Sequence, residues 1–233
     1  YKVNAAKTFN IDVDKVTKDQ RQIGKVQELA CGFAGGVGAF AAMGRIYGID
    51  LPESEAKDMV KGWRKANDWA AEFWSALEVA YTDAMRNDNT EFEAGRVKYL
   101  RQNRHLWYIL PSGRKLCYPY ADFNAAKDEV TYAKASYKPS ADAKVWPRAR
   151  LWKGLACENI TQATAADILR HALRCLDSEG FDTVLHVHDE IVIVTDNPDK
   201  AQKALERIMK TPPAWAAGLP LDIEVSVMGR YGK

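Results

Sequence analysis

Two short stretches of this chain carry side chains that could do chemistry. The first is His188-Asp189-Glu190, flanked by Val184, Leu185 and Val187 on one side and by Ile191, Val192, Ile193 and Val194 on the other. Apolar β-branched runs of this kind read as buried strands, and the acidic pair falls where the hairpin must turn. Carboxylates held at a hairpin tip are costly unless a cation or solvent meets them. That suits a hard cation with oxygen ligands such as Mg²⁺ and metal-assisted phosphoryl transfer; the same tripeptide also fits a solvated acidic turn. The second stretch is Arg21-Gln-Ile-Gly-Lys25-Val-Gln-Glu-Leu29-Ala-Cys-Gly-Phe33. At helical spacing one face presents two cations, then an apolar spot, then an aromatic ring. The cations would meet phosphate oxygens of a nucleoside triphosphate. Leu29 and Phe33 would pack on sugar and base, and the helix N-terminus would help attract the anion. Two cations on a helix also describe an ordinary solvated face.

These residues need elements to hold them. Residues 1–16 read as a short helix and a loop. Thr17 followed by Gln20 is a capping box, and it opens a helix from about Lys18 to near Leu29. Glycines at 32, 35, 36 and 38 end it, and a helix over roughly 37–47 follows. Pro52 at a first helical position starts one long helix, Glu53 to about Asn87. Beyond Thr90 the pattern turns to strands, at Arg96–Lys98, Leu106–Leu110 and Arg114–Tyr118, with Pro111-Ser-Gly113 as a turn. Arg96, Lys98, Arg101, Arg104, Arg114 and Lys115 are interleaved there with Tyr99, Trp107 and Tyr108. That fits either a surface for a nucleic-acid backbone or a solvated hairpin face. Residues 124–150, with Pro139 and Pro147, read as an extended loop or ribbon. A helix over 154–178, the hairpin, a helix over 198–210 and a strand over 221–228 complete a compact α+β layer.

The 233 residues are 47% hydrophobic, enough for a core in one or two subdomains. The net charge of +2 leaves any nucleic-acid binding to local patches. No run of 18 apolar residues occurs, so no membrane span is expected. Cys31, Cys117, Cys157 and Cys175 are scattered, which points away from zinc and from a disulfide framework and towards reduced, cytoplasmic thiols. No signal peptide is evident. The chain begins at Tyr1, inside patterned sequence, and reads as a fragment or trimmed piece of a longer protein.

Taken in order, these segments resemble the family A DNA polymerases, the group of bacterial DNA polymerase I, and most nearly the phage and prophage type. Arg21-x3-Lys25-x7-Phe33 followed by glycines resembles the fingers helix, motif B. His188-Asp189-Glu190 between strands resembles the palm hairpin, motif C. Glu158-Asn-Ile-Thr-Gln162-Ala-Thr-Ala-Ala-Asp167 resembles the palm helix before it. Leu110-Pro-Ser-Gly-Arg114, the terminal Leu219-Pro-Leu and Arg230-Tyr231 also look familial, as does Tyr1…Phe9 before motif B.

The resemblance implies an α+β fold with a helical fingers subdomain at 1–150, interrupted by a β-ribbon, and the C-terminal part of an antiparallel palm at 151–233. It implies template-directed transfer of nucleotides from a dNTP to a primer 3′-OH by a two-metal mechanism with Mg²⁺. Arg21 and Lys25 would bind the triphosphate, with Lys25 the general acid for pyrophosphate. Leu29 would pack on the sugar, Phe33 would sit at the templating position, and Tyr1 would contact the triphosphate. Asp189 would be a metal ligand with Glu190 beside it. Gln162 would reach the minor groove and His188 the primer-terminal backbone. The partners would be primer-template DNA, a dNTP and the remaining N-terminal part of the polymerase, in one chain or as a separate subunit. Two departures stand out. Leu29 replaces an aromatic, which bears on sugar discrimination. Motif A, with the second metal-binding Asp, is absent from this chain, and Asp12, Asp14 and Asp167 do not sit in a comparable motif. The isolated chain is therefore expected to be feeble or inactive. The competing readings are a split polymerase, a non-catalytic primer-template-binding prophage relic and a single-subunit RNA polymerase.

Overall fold

The computed structural model describes residues 1–134 and 146–232. They form two compact units, Tyr1–Tyr108 with Lys115–Asn159, and Ile109–Arg114 with Ile160–Lys233. The mixture of helices and antiparallel strand pairs is the α+β class expected from the sequence.

Five helices open the first unit: α1 (Lys2–Phe9), α2 (Lys18–Cys31), α3 (Val37–Ile46), α4 (Glu53–Ala66) and α5 (Asp68–Arg86). The capping box at the start of α2 is present. Thr17 Oγ1 accepts from the Gln20 backbone N–H at 3.2 Å, and Gln20 Oε1 accepts from the Thr17 backbone N–H at 3.0 Å. Helix α1 comes so close to α2 that a Cβ on Gly24 would lie 2.6 Å from the Tyr1 carbonyl oxygen. A buried polar knot holds the middle of α2. Thr8 Oγ1 donates to Gln27 Oε1 at 2.9 Å, while Gln27 Nε2 donates to the Met59 carbonyl at 3.1 Å. One turn on, Trp63 Nε1 donates to Glu28 Oε2 at 3.1 Å. Burial of Gln27 is tolerable because its amide is satisfied on both ends.

The long helix expected from Glu53 to Asn87 is instead two helices. Asn67 departs from helical geometry at φ −133°, ψ 49°, and its side chain donates to the Trp63 carbonyl at 2.9 Å. Asn and Asp side chains compete for the backbone bonds that a helix needs, so Asn67-Asp68 favours a cap over continuation. The break lets Trp63 of α4 stack on Trp74 of α5, with ring centroids 6.0 Å apart and planes 7° from parallel.

Strands β1 (Glu91–Ala94), β2 (Val97–Gln102), β3 (His105–Ile109) and β4 (Lys115–Tyr118) form one sheet in that order. Strands β5 (Asp122–Asn124), β6 (Glu129–Ala133) and β7 (Arg148–Leu151) form a second, antiparallel one. The expected ribbon over 124–150 thus contains true strands, and the part around Pro139 lies outside the described residues. A succession of tyrosines supplies much of this core. Tyr99 meets Tyr108, Tyr108 stacks on Tyr118 at 5.2 Å, and Tyr118 meets Tyr132 edge-on at 5.0 Å. Burial drives the Tyr99 and Tyr118 hydroxyls well above the usual phenol range.

Helix α6 (Lys153–Ser178) leads into β8 (Asp182–Val187), β9 (Glu190–Val194) and α7 (Pro198–Lys210). In the second unit Ala172 and Leu176 of α6 pack with Ala204, Leu205 and Ile208 of α7. Ile191, Ile193, Ile223 and Val225 cover that cluster. Two expectations fail here. The β8–β9 hairpin is not buried: Val184, Leu185 and Val187 are all exposed, and Val194 is 64% exposed. These strands pair only with each other among the described residues, so neither is sandwiched in a larger sheet. Residues 221–228 form no strand, although Ile223 and Val225 still pack inward. Apolar alternation buries a face, but a strand also needs a ladder partner.

Candidate functional site

Helix α2 carries Arg21, Lys25 and Leu29 one turn apart, so their side chains share a face. Arg21 is exposed and its guanidinium carbon lies 5.7 Å from the centroid of the Tyr1 ring. Tyr1 and Arg21, both expected at the triphosphate, are therefore neighbours. Leu29 is 37% exposed, open enough to meet a ligand. Lys25 is half-buried, and its Nζ sits 4.3 Å from the centroid of the Tyr47 ring. Nothing in the sequence pattern singles out Tyr47, because the contact joins α2 to the far end of α3. Phe33 is not on the helix. Helix α2 stops at Cys31, and Phe33 lies in the turn after it, closed by the Ala34 N–H donating to the Cys31 carbonyl at 3.0 Å. Ala34, at φ 60°, turns the chain, and Arg64 Nη2 of α4 donates to the Gly35 carbonyl at 3.1 Å, tying the turn down. Beneath this turn burial pushes the Cys31 thiol up to about 12, against a smaller opposing pull from Arg64.

The acidic motif occupies the second unit. Val187 pairs with Glu190, which leaves His188 and Asp189 as a two-residue turn. His188 takes the left-handed conformation at φ 52° that such tight turns require. The turn is thus His-Asp, not the Asp-Glu pair read from the sequence, and Glu190 is the first residue of β9. His188 and Asp189 are exposed, and Glu190 is half-buried. Among the described residues no group of three or more His, Cys, Asp or Glu side chains comes together as a metal cage. Carboxylate oxygens are the donor type Mg²⁺ takes, but Asp189 with Glu190 is short of a complete set. The remaining donors would have to be water, substrate or polypeptide beyond this chain.

Gln162 stands exposed on α6. Five residues on, Asp167 has a side chain only 7% exposed and is committed to structure. Arg114 Nε approaches its Oδ1 at 2.6 Å as an ion pair, and Ser112 Oγ donates to Oδ2. Arg114 Nη2 donates to the Ala163 carbonyl at 2.8 Å, so one guanidinium ties the Pro111-Ser-Gly113 turn to a full turn of α6. In the sequence Arg114 and Asp167 stand in separate motifs; their pairing is long-range, and only the fold reveals it. Other cations of the basic, aromatic stretch are also engaged. Lys98 lies 3.1 Å from both Glu91 and Glu93, Arg101 pairs with Asp88 at 3.2 Å, and Tyr99 is fully buried. Within that stretch Lys98, Arg101 and Arg114 are thus ion-paired, while the Arg104 guanidinium lies over the Tyr120 ring, 5.6 Å from its centroid. Asp12 pairs with Lys15 at 2.8 Å, and all four cysteines are free thiols.

No family model matches the chain. A DNA polymerase of Bacillus phage SP02 is 37% identical over 236 residues, covering the whole of this chain. The chain spans 36% of that relative's length. Among solved structures, the POL domain of Pol1 from M. smegmatis, in complex with DNA primer-template and dNTP, superposes with a TM-score of 0.60 over 95% of this chain and 32% of its own. Sequence identity there is 15%, so that likeness concerns the fold. No helix of the described residues is long and apolar enough to cross a membrane. The chain thus corresponds in sequence to about a third of a phage DNA polymerase and in fold to part of a Pol1 polymerase domain, in line with the resemblance to the family A DNA polymerases.

Proposed function

We propose that this chain is the fingers and catalytic palm segment of a template-directed DNA polymerase, residues 1–150 supplying the fingers and 151–233 the palm. The observation that carries the reading is the 37% identity to a phage DNA polymerase over the whole of the chain. The reaction is nucleotidyl transfer: a primer 3′-hydroxyl attacks the α-phosphorus in line, a new P–O bond forms and pyrophosphate leaves. Arg21 and Lys25 bind the triphosphate oxygens as charge-assisted donors. Lys25 gives a proton to the departing pyrophosphate, as a positioned general acid. Tyr1 borders the same phosphates through its place beside Arg21. Leu29 packs on the sugar, and Phe33, outside the helix proper, is free to meet the templating base.

Asp189 supplies one oxygen ligand for Mg²⁺, with Glu190 beside it and the other carboxylate contributed by the N-terminal part of the polymerase, in the same chain or as a partner subunit. The chemistry of such a bound cation is stabilisation of charge on the reacting oxygens. His188 faces the primer-terminal backbone, and Gln162 reads the minor groove of the new pair. The sugar contact is Leu29 rather than an aromatic ring, so ribonucleotide incorporation tests the choice between deoxyribose and ribose. The test is Mg²⁺-dependent primer extension by the full natural protein that contains this chain, beside its Asp189→Ala variant. Extension lost with Asp189→Ala is expected; extension that survives sinks the metal assignment, and no extension by the intact protein points to a DNA-binding relic.

A further inference from the structure

Lys25 is the residue the proposed chemistry asks most of, and its surroundings are unusual for a lysine on an open helix face. A lysine ammonium is a strongly hydrated charge on a flexible stem, and fixing it costs side-chain entropy. Here the Nζ lies 4.3 Å from the centroid of the Tyr47 ring, well inside the range at which the ring's negative face attracts a cation.

The backbone that carries the ring is well anchored. Tyr47 is the C-cap of α3, and the chain closes after it in a Schellman motif. The Ile49 N–H donates to the Gly44 carbonyl at 2.8 Å and the Gly48 N–H to the Arg45 carbonyl at 3.2 Å. Gly48 makes the turn at φ 71°, where a side chain would be strained. The ring face thus holds the ammonium from one side. The ammonium's other hydrogens remain available to an anion, since one ring face occupies only one side of it.

We infer that Tyr47 is a positioning residue that holds the Lys25 ammonium ready for the triphosphate. This rests on the reading of α2 as the triphosphate-binding face. The mounting lowers the ordering cost that a free lysine would bear on meeting a phosphate. An aromatic ring does this where a carboxylate would not, because it attracts the cation without neutralising it.

The experiment is equilibrium binding of Mg²⁺·dATP to the natural protein containing this chain, in a double-mutant cycle of Lys25→Ala and Tyr47→Leu. Lys25→Ala is expected to weaken binding about tenfold, as loss of a hydrogen bond from a charged group does. Tyr47→Leu is expected to weaken it about two- to fivefold, the range of a partly exposed cation–π contact. In the Lys25→Ala background Tyr47→Leu should add nothing. Tyr47→Phe, which keeps the ring, should bind as the parent does. An equal loss from Tyr47→Leu with and without Lys25 makes the residue merely structural and overturns the proposal, as does no loss at all. If Lys25→Ala itself has no effect, the triphosphate reading of α2 fails, a different result. Should Tyr47→Leu impair folding, increasingly fluorinated phenylalanines at position 47 drain the ring's negative face without changing its shape. Affinity that falls with fluorination supports the inference, and affinity indifferent to it overturns the inference.

Discussion

Helix α2 and the β8–β9 hairpin carry the two halves of the proposed chemistry, and they are built in opposite ways. Helix α2 is surrounded: α1 lies against Gly24, Gln27 is knotted to α1 and α4, and Arg64 ties down the turn that holds Phe33. Arg21, Lys25, Leu29 and Phe33 come from one helix and one turn, and packing adds only Tyr1 and Tyr47 to them. The hairpin is only half covered. Its strands pair only with each other among the described residues, Ile191 and Ile193 pack on the α6–α7 cluster while Val184, Leu185, Val187 and Val194 meet solvent, and Asp189 sits on the tip with an incomplete donor set. A cation face for phosphate can be made by short-range structure. The hairpin tip by itself brings together too few carboxylates for a complete Mg²⁺ donor set.

That contrast can be broken by experiment. The largest effect belongs to Asp189. In the natural protein Asp189→Ala should cut primer extension by at least about a hundredfold, the scale of losing one preorganised electrostatic group. It should leave Mg²⁺·dATP affinity nearly unchanged if α2 is self-sufficient; a parallel loss of affinity would erase the distinction. Next is Asp167→Ala, which strands Arg114 and Ser112. It should lower unfolding free energy by about 3 kcal/mol in urea titration, the low end for a broken buried pair because Arg114 keeps some solvent.

Smaller effects probe how α2 is held. Gly24→Ala would normally favour a helix, yet here the added methyl meets α1. It should destabilise by about 1–3 kcal/mol, as overpacking does. The same change should push Tyr1 off Arg21, visible as weaker dATP binding. Thr17→Ala removes the capping box and should cost about 1 kcal/mol in thermal unfolding. Cys31 sets the smallest effect at neutral pH. Its thiol is raised from 9.0 to about 12 by burial, so the folded state prefers the protonated form. The stability this contributes is complete below pH 9 and is lost as pH rises towards 12. Alkylation at pH 8 should therefore spare Cys31 in the folded protein and modify it in urea.

Much of the helical half is legible in the sequence. Thr17 and Gln20 announce the start of α2, and the i, i+4 spacing of Arg21, Lys25 and Leu29 puts them on one face, because caps and helical periodicity act over a few residues. The same spacing predicts Phe33 on that face, and it is not there, since the glycine-rich stretch ends the helix at Cys31. Asn67 is a local break signal, masked in the pattern by helix-compatible residues on both sides of it. The hairpin's position is equally legible, but not its burial. Alternating Val and Ile specify which side chains share a face, and what covers that face depends on elements that periodicity does not name.

Short-range pattern is enough to place α2 with its cation face and to put Asp189 in a tight turn, because each depends on neighbours within a few positions. Only packing assigns Asp167 to Arg114 and Ser112 and rests Lys25 on Tyr47. Those contacts join residues 22 to 55 positions apart in the case of Lys25–Tyr47 and Ser112–Asp167. Over such separations a sequence offers many possible partners for a charge, and only packing selects among them.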